Sequence, residues 1–282
     1  MNGLPDRVRL VIFDLDGVVY RGDQPVPGAP ELVDVLHRGG VAVRFATNNS
    51  TATRGAYIDR LAGMGIRATA DEIVTSTSAT IEHLRRHAPE VRSILAIGAD
   101  GMETELLEAG LDVTMAASAV ARDPGGPLER AYDAVIVGLD PAVDYARLSS
   151  AMAAVADGAR LIATNADARY PTPAGFLPGA GSIVAALTTA TGVSAEIIGK
   201  PAPAMFTAIL EAAGVASGEA VVVGDNPDAD VAGAHRAGCA AILVLTGVAD
   251  AATVARLTGE RVPDAVAAGP DEVRALLVPR LS

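Results

Sequence analysis

The chain contains 282 residues, half of them hydrophobic, which is enough for about two domains with buried cores. Its net charge of −12 and its 3% of aromatic residues, with no tryptophan, argue against a nucleic-acid binder, because such proteins use basic faces or aromatic stacking platforms. The single cysteine excludes an intrachain disulfide and a cysteine-rich zinc site, and no apolar run resembles a signal peptide or a membrane-spanning helix, so we expect a cytoplasmic protein without a membrane anchor.

Short apolar segments alternate along the chain with longer segments rich in alanine, leucine and arginine. The short segments predict strands at residues 10–13, 41–46, 94–97, 134–137, 161–163, 196–198, 221–223 and 242–245. The longer segments predict helices, most clearly at residues 30–39, 75–87, 144–157 and 202–214. Continuously apolar strands are typical of parallel sheets covered by helices on both faces, so the pattern predicts an α/β fold with a Rossmann-like, doubly wound parallel sheet.

A helix stop at Ala88-Pro89-Glu90 marks a candidate domain boundary. A second series of strand and helix patterns lies between this point and Lys200. The simplest division therefore places the first part of a core domain at residues 1–88, an inserted α/β cap domain at 89–195, and the second part of the core at 196–282.

The first candidate chemical group follows the predicted strand 10–13. Asp14 lies at the end of this strand, and Asp16 comes two positions later, before Gly17. Two carboxylates so close repel each other unless a cation or a shared proton is present, and Mg²⁺ is the natural cation because it prefers hard oxygen ligands. Taken alone, the pair also fits a solvated strand end that caps a helix.

Polar residues also follow the predicted strand 41–46. Thr47, Asn48 and Asn49 offer a hydroxyl and two amides beside the start of a helix, which suits a bound phosphate. The same residues also suit an ordinary turn. This segment is therefore weak evidence by itself and gains value only from its neighbours in the fold.

A third predicted strand, 221–223, leads into an acidic segment. Asp225, Asp228 and Asp230 lie within six residues, and so dense a group of carboxylates again calls for a cation. An acidic turn that caps the next helix is the alternative interpretation.

Lysine occurs once in the chain, at position 200, whereas the other 21 of the 22 basic residues are arginines. Lys200 follows the predicted strand 196–198. Because parallel strands bring their carboxyl ends to one edge of a sheet, we expect Lys200 to lie close to Asp14, Thr47 and Asp225. Together they provide a nucleophile, a hydroxyl, a cation and metal ligands, as metal-assisted phosphoryl transfer through an aspartyl phosphate requires.

The segments DLDGVVY, TNNS, GKP and GDNPDAD occur in this order and resemble the four motifs of the haloacid dehalogenase superfamily. The surrounding segments YRGDQPVPGA, IVGLD and IATNADARYPTPAGFLPGAGSIVAAL resemble the NagD-like group, which has a large α/β cap and includes 4-nitrophenylphosphatases and phosphoglycolate phosphatases. The resemblance covers nearly the whole chain. It implies a Mg²⁺-dependent phosphatase that hydrolyses small phosphomonoesters, with phosphoglycolate or glycerol phosphate as the best substrate candidates.

The resemblance also implies roles for single residues. Asp14 corresponds to the nucleophile that becomes phosphorylated and, with Asp225, to a direct Mg²⁺ ligand. Asp16 corresponds to the general acid and base, and it binds the metal through its main-chain carbonyl. Asp230 corresponds to a residue that holds water on the metal, and Lys200 to the cation that neutralises both Asp14 and the phosphoryl group.

Substrate binding is expected from two segments. Thr47 and Asn48, followed by Asn49, resemble phosphate-positioning residues. The loop after the predicted strand 161–163 resembles the loop with which the group's cap reaches the substrate, and its candidates are Asn165, Asp167, Arg169 and Tyr170. Turn formation by the first two of these and surface exposure of the arginine are the alternatives.

Other function classes remain open at this stage. A phosphotransferase or phosphomutase acting on a sugar phosphate would use the same residues, and a phosphosugar-binding protein with an inactive site would keep their fold. A phospho-aspartate signalling module is disfavoured because receiver domains lack an acid and base equivalent to Asp16 and are about half this length. We expect a small phosphate ester as the partner, neither nucleic acid nor membrane, and a homodimer through the cap is plausible.

Overall fold

A computed structural model of the chain describes residues 3–119, 128–172 and 175–281. Within these ranges the strands are β1 Leu10–Phe13, β2 Tyr20–Arg21, β3 Gln24–Pro25, β4 Ala42–Thr47, β5 Ile73–Thr75, β6 Ser93–Ile97, β7 Asp112–Met115, β8 Ala134–Val137, β9 Arg160–Ala163, β10 Arg169–Thr172, β11 Gly175–Pro178, β12 Glu196–Ile197, β13 Ala220–Gly224, β14 Ala240–Val244 and β15 Ala265–Ala267. The α-helices are α1 Ala29–Arg38, α2 Arg54–Gly63, α3 Ser76–His87, α4 Asp100–Glu108, α5 Tyr145–Ala156, α6 Ala180–Thr191, α7 Ala204–Ala213, α8 Ala232–Arg236, α9 Ala251–Val254 and α10 Pro270–Leu277. None of the helices in these ranges combines the length and the apolar character needed to cross a bilayer.

The chain divides into two compact units. The first unit comprises Met1–Thr47, Arg54–Val74 and Lys200–Ser282, and the second comprises Asn48–Thr53 and Thr75–Gly199. The predicted insert, residues 89–195, lies within the second unit, which also includes α3. This helix packs against α4, and a buried hydrogen bond of 2.7 Å from Thr75 Oγ1 to Glu105 Oε2 ties its first turn to that neighbour. Two of the peptide bonds that join the units lie directly beside Thr47 and Lys200.

The first unit is built on a six-stranded sheet with the order β5-β4-β1-β13-β14-β15. Strands β4, β1, β13, β14 and β15 run parallel. Numbered along the chain within this sheet, the order is 3-2-1-4-5-6, which is that of the doubly wound Rossmann fold, and the order reverses between β1 and β13. Ligands of such sheets bind outside the carboxyl ends of the strands at this reversal. The predicted fold class is therefore confirmed.

Strands β1 and β13 are buried along their whole length because their sequences, LVIF and AVVVG, are apolar at every position. Their register pairs Phe13 with Val223. The Asp14 amide then donates to the Val223 carbonyl at 2.9 Å. This pairing brings the residues after the two strands, Asp14 and Asp225, to the same end of the sheet.

The second unit contains a five-stranded parallel sheet with the order β12-β9-β8-β6-β7. Apolar residues of α5 and α6, such as Ala151 and Leu187, pack against the buried residues of β6, β8 and β9. The prediction that residues 196–198 form a strand of the core sheet was wrong, because Glu196–Ile197 pairs with β9 in this second sheet. Lys200, the first residue of the last segment of the first unit, therefore follows a strand of the second unit's sheet along the chain.

Candidate active site

Lys200 lies at the centre of the candidate site and is only 3% exposed. Its ammonium group donates to Asp14 Oδ1, to Asp230 Oδ1 at 2.7 Å and to the Ala46 carbonyl at 3.1 Å. An ammonium has three donors, and these three acceptors match that number. The lysine thus links residues from the ends of three regions: β1, β4 and the turn after β13.

Carboxylate oxygens of Asp14, Asp225 and Asp230 all lie within 4.8 Å of one another. One Lys200 cannot balance three carboxylates so close together, two of them buried, so the donor set fits a divalent cation bound by oxygen ligands. Asp230 has both oxygens engaged, because its Oδ2 accepts from the amides of Asp225 at 3.2 Å and Asn226 at 3.0 Å while its Oδ1 accepts from Lys200. Asp14 and Asp225 are therefore the better placed direct ligands, and Asp230 orients its neighbours.

The backbone approaches Asp225 very closely. Its Oδ2 accepts from the Val248 amide at 2.6 Å, and a Cβ built on Gly247 or Gly17 would lie 1.8 or 2.4 Å from that oxygen. Thr246 Oγ1 also donates to the Gly17 carbonyl at 2.6 Å. Sequence reasoning missed the segment 246–248, although it follows the predicted strand 242–245 and could have been found by inspecting that strand's end as well.

Burial and charge shift the ionisation of this cluster. Burial, with repulsion from Asp230 and Asp225, raises the pKa of Asp14 although Lys200 opposes the shift. Burial and Asp230 raise the pKa of Asp225 to about 6. Burial would lower the pKa of Lys200, but the Asp14 and Asp230 carboxylates outweigh it and raise that pKa, so the ammonium stays charged. The site is thus a fixed cation among carboxylates that need a further positive charge to ionise fully.

Asp16 is not a member of this carboxylate group and has a separate environment. Its Oδ2 accepts a long hydrogen bond of 3.5 Å from Tyr20 Oη, and the Arg60 guanidinium lies 4.2 Å from the centre of the Tyr20 ring. Burial raises the pKa of Asp16, while Arg60 and Tyr20 oppose that rise. A carboxyl whose pKa is raised can both donate and accept a proton at physiological pH. The contributions of Tyr20 and Arg60 were not predicted from the sequence.

The residues around Thr47 fall in both units. Thr47 is the last residue of β4, rather than following it as predicted, and is buried in the first unit. Asn48 belongs to the second unit, where its Nδ2 donates to both Asp167 oxygens at 3.0 and 3.2 Å. Asn165 lies beside it and donates from Nδ2 to the Asn48 carbonyl at 2.8 Å. The structure thus brings Asn48, Asn165 and Asp167 together.

Asn49, Arg169 and Tyr170 were also predicted to bind the substrate, and the structure shows the following surroundings for them. Asn49 Oδ1 accepts from the amide and the hydroxyl of Thr51 at 2.9 and 2.7 Å, which stabilises the turn it begins. Arg169 is exposed at the start of β10, and its guanidinium lies 5.8 Å from the centre of the Phe176 ring in the paired strand β11. Tyr170 is half-buried in β10.

Comparison with known proteins places the chain in a family. Residues 11–112 match the family model described as haloacid dehalogenase-like hydrolase, and residues 197–272 match a second model of HAD-like hydrolases. An acid sugar phosphatase of Staphylococcus epidermidis is 35% identical over 84% of this chain and 86% of its own.

Solved structures agree with these matches. NagD from Escherichia coli has a TM-score of 0.82 with 29% identity, over 94% of this chain and 98% of that one. The glycerol phosphate phosphatase of Mycobacterium tuberculosis, solved in complex with magnesium, has a TM-score of 0.81 with 32% identity, over 97% of this chain and 78% of that one. The chain belongs to the haloacid dehalogenase-like hydrolases, within their NagD-like group.

Proposed function

We propose that this protein is a Mg²⁺-dependent phosphatase that hydrolyses small phosphomonoesters through a phosphorylated Asp14. One observation carries the proposal: the only lysine of the chain is buried and bonded to both Asp14 and Asp230, in a cluster of three carboxylates at the carboxyl ends of β1 and β13. A cation beside a nucleophilic carboxylate and a set of metal ligands is the arrangement that phosphoryl transfer needs.

The residues fit a bound Mg²⁺, which Asp14 and Asp225 would hold together with the main-chain carbonyl of Asp16, and which would supply positive charge for the phosphoryl oxygens. Asp230 would orient this set, since its oxygens already accept from Lys200 and from two amides. Lys200 would neutralise Asp14 and the transferring group. Thr47 would position the phosphate from the end of β4.

The reaction divides into two displacements. An Asp14 oxygen attacks phosphorus, the bond from phosphorus to the ester oxygen breaks, and Asp16 gives its proton to that leaving oxygen. Water then attacks phosphorus, Asp16 takes a proton from it, and the bond between phosphorus and Asp14 breaks to release inorganic phosphate. The raised pKa of Asp16 suits a group that must first donate and then accept this proton.

The nature of the leaving group is a separate part of the proposal. The relatives include an acid sugar phosphatase and a glycerol phosphate phosphatase, so we propose a small phosphorylated metabolite of the sugar or glycerol type. Phosphoglycolate and a cytoplasmic location stay predictions from the sequence, as does a homodimer.

Hydrolysis of 4-nitrophenyl phosphate by the purified protein tests the core of the proposal. We expect Mg²⁺-dependent release of nitrophenol and of inorganic phosphate in equal amounts, which also separates hydrolysis from transfer to another acceptor. Asp14→Asn should abolish the activity, whereas the matched control Asp228→Asn should keep it, because Asp228 is exposed and pairs with Arg261 at 3.5 Å. Activity that survives both EDTA and Asp14→Asn would refute the mechanism.

A further inference from the structure

Residues 164–167 follow β9 and form what we call the clasp segment. This segment contacts Asn48 and Gly199, each of which adjoins a proposed active-site residue in the sequence. Asn48 comes directly after Thr47, and Gly199 comes directly before Lys200. Both contacts lie within the second unit, whereas Thr47 and Lys200 belong to the first. The clasp segment therefore contacts the two residues that adjoin Thr47 and Lys200 along the chain.

The Asn48 carbonyl is held from two sides. Asn165 Nδ2 and Ser76 Oγ each donate to it at 2.8 Å, so both of its lone pairs are used. Asn165 is only 4% exposed. If its hydrogen bond were removed, water could not readily replace it at the Asn48 carbonyl, so the loss would be costly. The Asn48 side chain is fixed as well, because its Nδ2 donates to both oxygens of Asp167.

Gly199 is held by the same segment. Its amide donates to the Thr164 carbonyl at 2.8 Å. A Cβ built on Gly199 would lie 2.4 Å from that carbonyl oxygen and 2.6 Å from Asn48 Oδ1, so only glycine permits this approach. The residues that adjoin Thr47 and Lys200 are thus packed against each other through the clasp segment.

The clasp segment is itself fixed. The Asp167 amide donates to Asn165 Oδ1 at 3.1 Å, which closes a turn between the two side chains that act on Asn48. The Gly181 amide donates to the Asp167 carbonyl at 3.0 Å. A Cβ on Gly179 or Gly181 would lie 2.1 Å from the Asp167 oxygen or 2.3 Å from the Ala166 oxygen, so these glycines let α6 dock on the segment.

We propose that Asn165 and Asp167 are positioning residues: their side chains hold Asn48, against which Gly199 packs, and they thereby fix Thr47 and Lys200, each one peptide bond away from these two residues. This inference rests on the proposed phosphatase function. It assigns the two side chains a role within the protein, where their polar atoms are engaged, whereas substrate binding by them stays a prediction from the sequence.

Steady-state kinetics separate positioning from substrate binding. We expect Asn165→Ala and Asp167→Ala to lower kcat by roughly 10- to 100-fold, since small displacements of reacting groups have effects of this size. The loss should be equal for 4-nitrophenyl phosphate, whose leaving group has no hydroxyl to be recognised, and for glycerol phosphate. Asp167→Asn should lose less, because its amide oxygen still accepts from Asn48. The exposed Asp157, in the same unit, provides the control variant Asp157→Ala.

Hydrogen exchange tests the clasp without relying on activity. Peptides that contain Gly199 should exchange faster in Asn165→Ala and Asp167→Ala than in the wild type and in Asp157→Ala. If the wild type does not hydrolyse 4-nitrophenyl phosphate, the proposed function fails while this measurement still decides whether the clasp exists. A wild-type exchange pattern in both variants would overturn the inference, as would a kinetic loss confined to glycerol phosphate or unchanged kcat on both substrates.

Discussion

Lys200 Nζ lies 2.7 Å from Asp230 Oδ1 and also donates to Asp14, so one buried ammonium bridges the proposed nucleophile and a carboxylate of the acidic turn after β13. The third donor of this group reaches the Ala46 carbonyl at 3.1 Å. Three acceptors around one nitrogen match the compact shape of an ammonium. A guanidinium spreads its donors over a plane and requires more space than an ammonium. Lys200 is only 3% exposed, so its surroundings leave little room for the larger group.

The Lys200→Arg variant tests this geometry. We expect kcat for 4-nitrophenyl phosphate to fall by roughly 100-fold, since the loss of one well-placed donor in an active site has effects of this order. The substitution keeps the positive charge, and the circular dichroism spectrum should stay that of the wild type, which would show that the fold is retained. A variant within about threefold of the wild-type rate would remove Lys200 from the reaction.

The sequence was most informative where an apolar strand ends in a charged residue. Asp14 and Asp225 were both predicted from this pattern, because the end of a buried parallel strand leaves few other roles for an acidic side chain. Lys200 was predicted to lie near them, but its strand was assigned to the wrong sheet. Two apolar residues, 197 and 198, fit either sheet equally well, and only the pairing of β12 with β9 decides.

Contacts between distant residues could not be predicted in this way. Asp167 lies 119 residues after Asn48, and each side chain taken alone is compatible with an ordinary turn. The role of Gly247 was also missed, since a glycine after a strand indicates a turn whether or not a carboxylate packs against it. Such roles depend on tertiary packing, which no local pattern encodes.

Magnesium affinity should depend on pH because the metal competes with protons at the carboxylates. The pKa of Asp225 is raised to about 6 in the metal-free protein, and that of Asp14 is raised as well. Below about pH 6 Asp225 binds a proton that Mg²⁺ must displace, and protonation of Asp14 adds to the competition, so affinity should fall by about tenfold per pH unit for each proton released. Isothermal titration at pH 5, 6 and 7.5 measures this effect.

The same shift has a consequence for stability. A carboxyl with a raised pKa in the folded state stabilises that state at low pH and loses this contribution as the pH rises through about 6. Added Mg²⁺ should therefore raise the melting temperature more at pH 7.5 than at pH 5. An equal increase at both values would show that Asp14 and Asp225 do not release protons on binding the metal.

The Gly247→Ala variant tests the close approach of the backbone to Asp225. The added Cβ would lie 1.8 Å from Asp225 Oδ2, so the carboxylate must move away from the Val248 amide that now holds it. We expect Mg²⁺ affinity to fall at least about tenfold, as it does when groups that orient metal ligands are removed. The control is Gly218→Ala, where no atom of the described residues lies within 4 Å of the new Cβ. Equal affinities in the two variants would contradict the role assigned to Gly247.

Tyr20→Phe tests the environment of Asp16. Arg60 and the Tyr20 hydroxyl lower the pKa of Asp16 against the larger effect of burial, so removing the hydroxyl should raise that pKa further. Nitrophenolate is a good leaving group that needs no proton from Asp16 in the first displacement. The rate on 4-nitrophenyl phosphate therefore depends on Asp16 only as the base that takes a proton from water in the second displacement. The acidic limb of the pH–rate profile of Tyr20→Phe should therefore move to higher pH, by less than one unit because the hydrogen bond from Tyr20 to Asp16 is long, while the rate at the plateau is kept.

Arg60→Met should move the acidic limb in the same direction and further, since Arg60 has the larger effect on the pKa of Asp16. A limb that stays in place in both variants would mean that a group other than Asp16 accepts the proton.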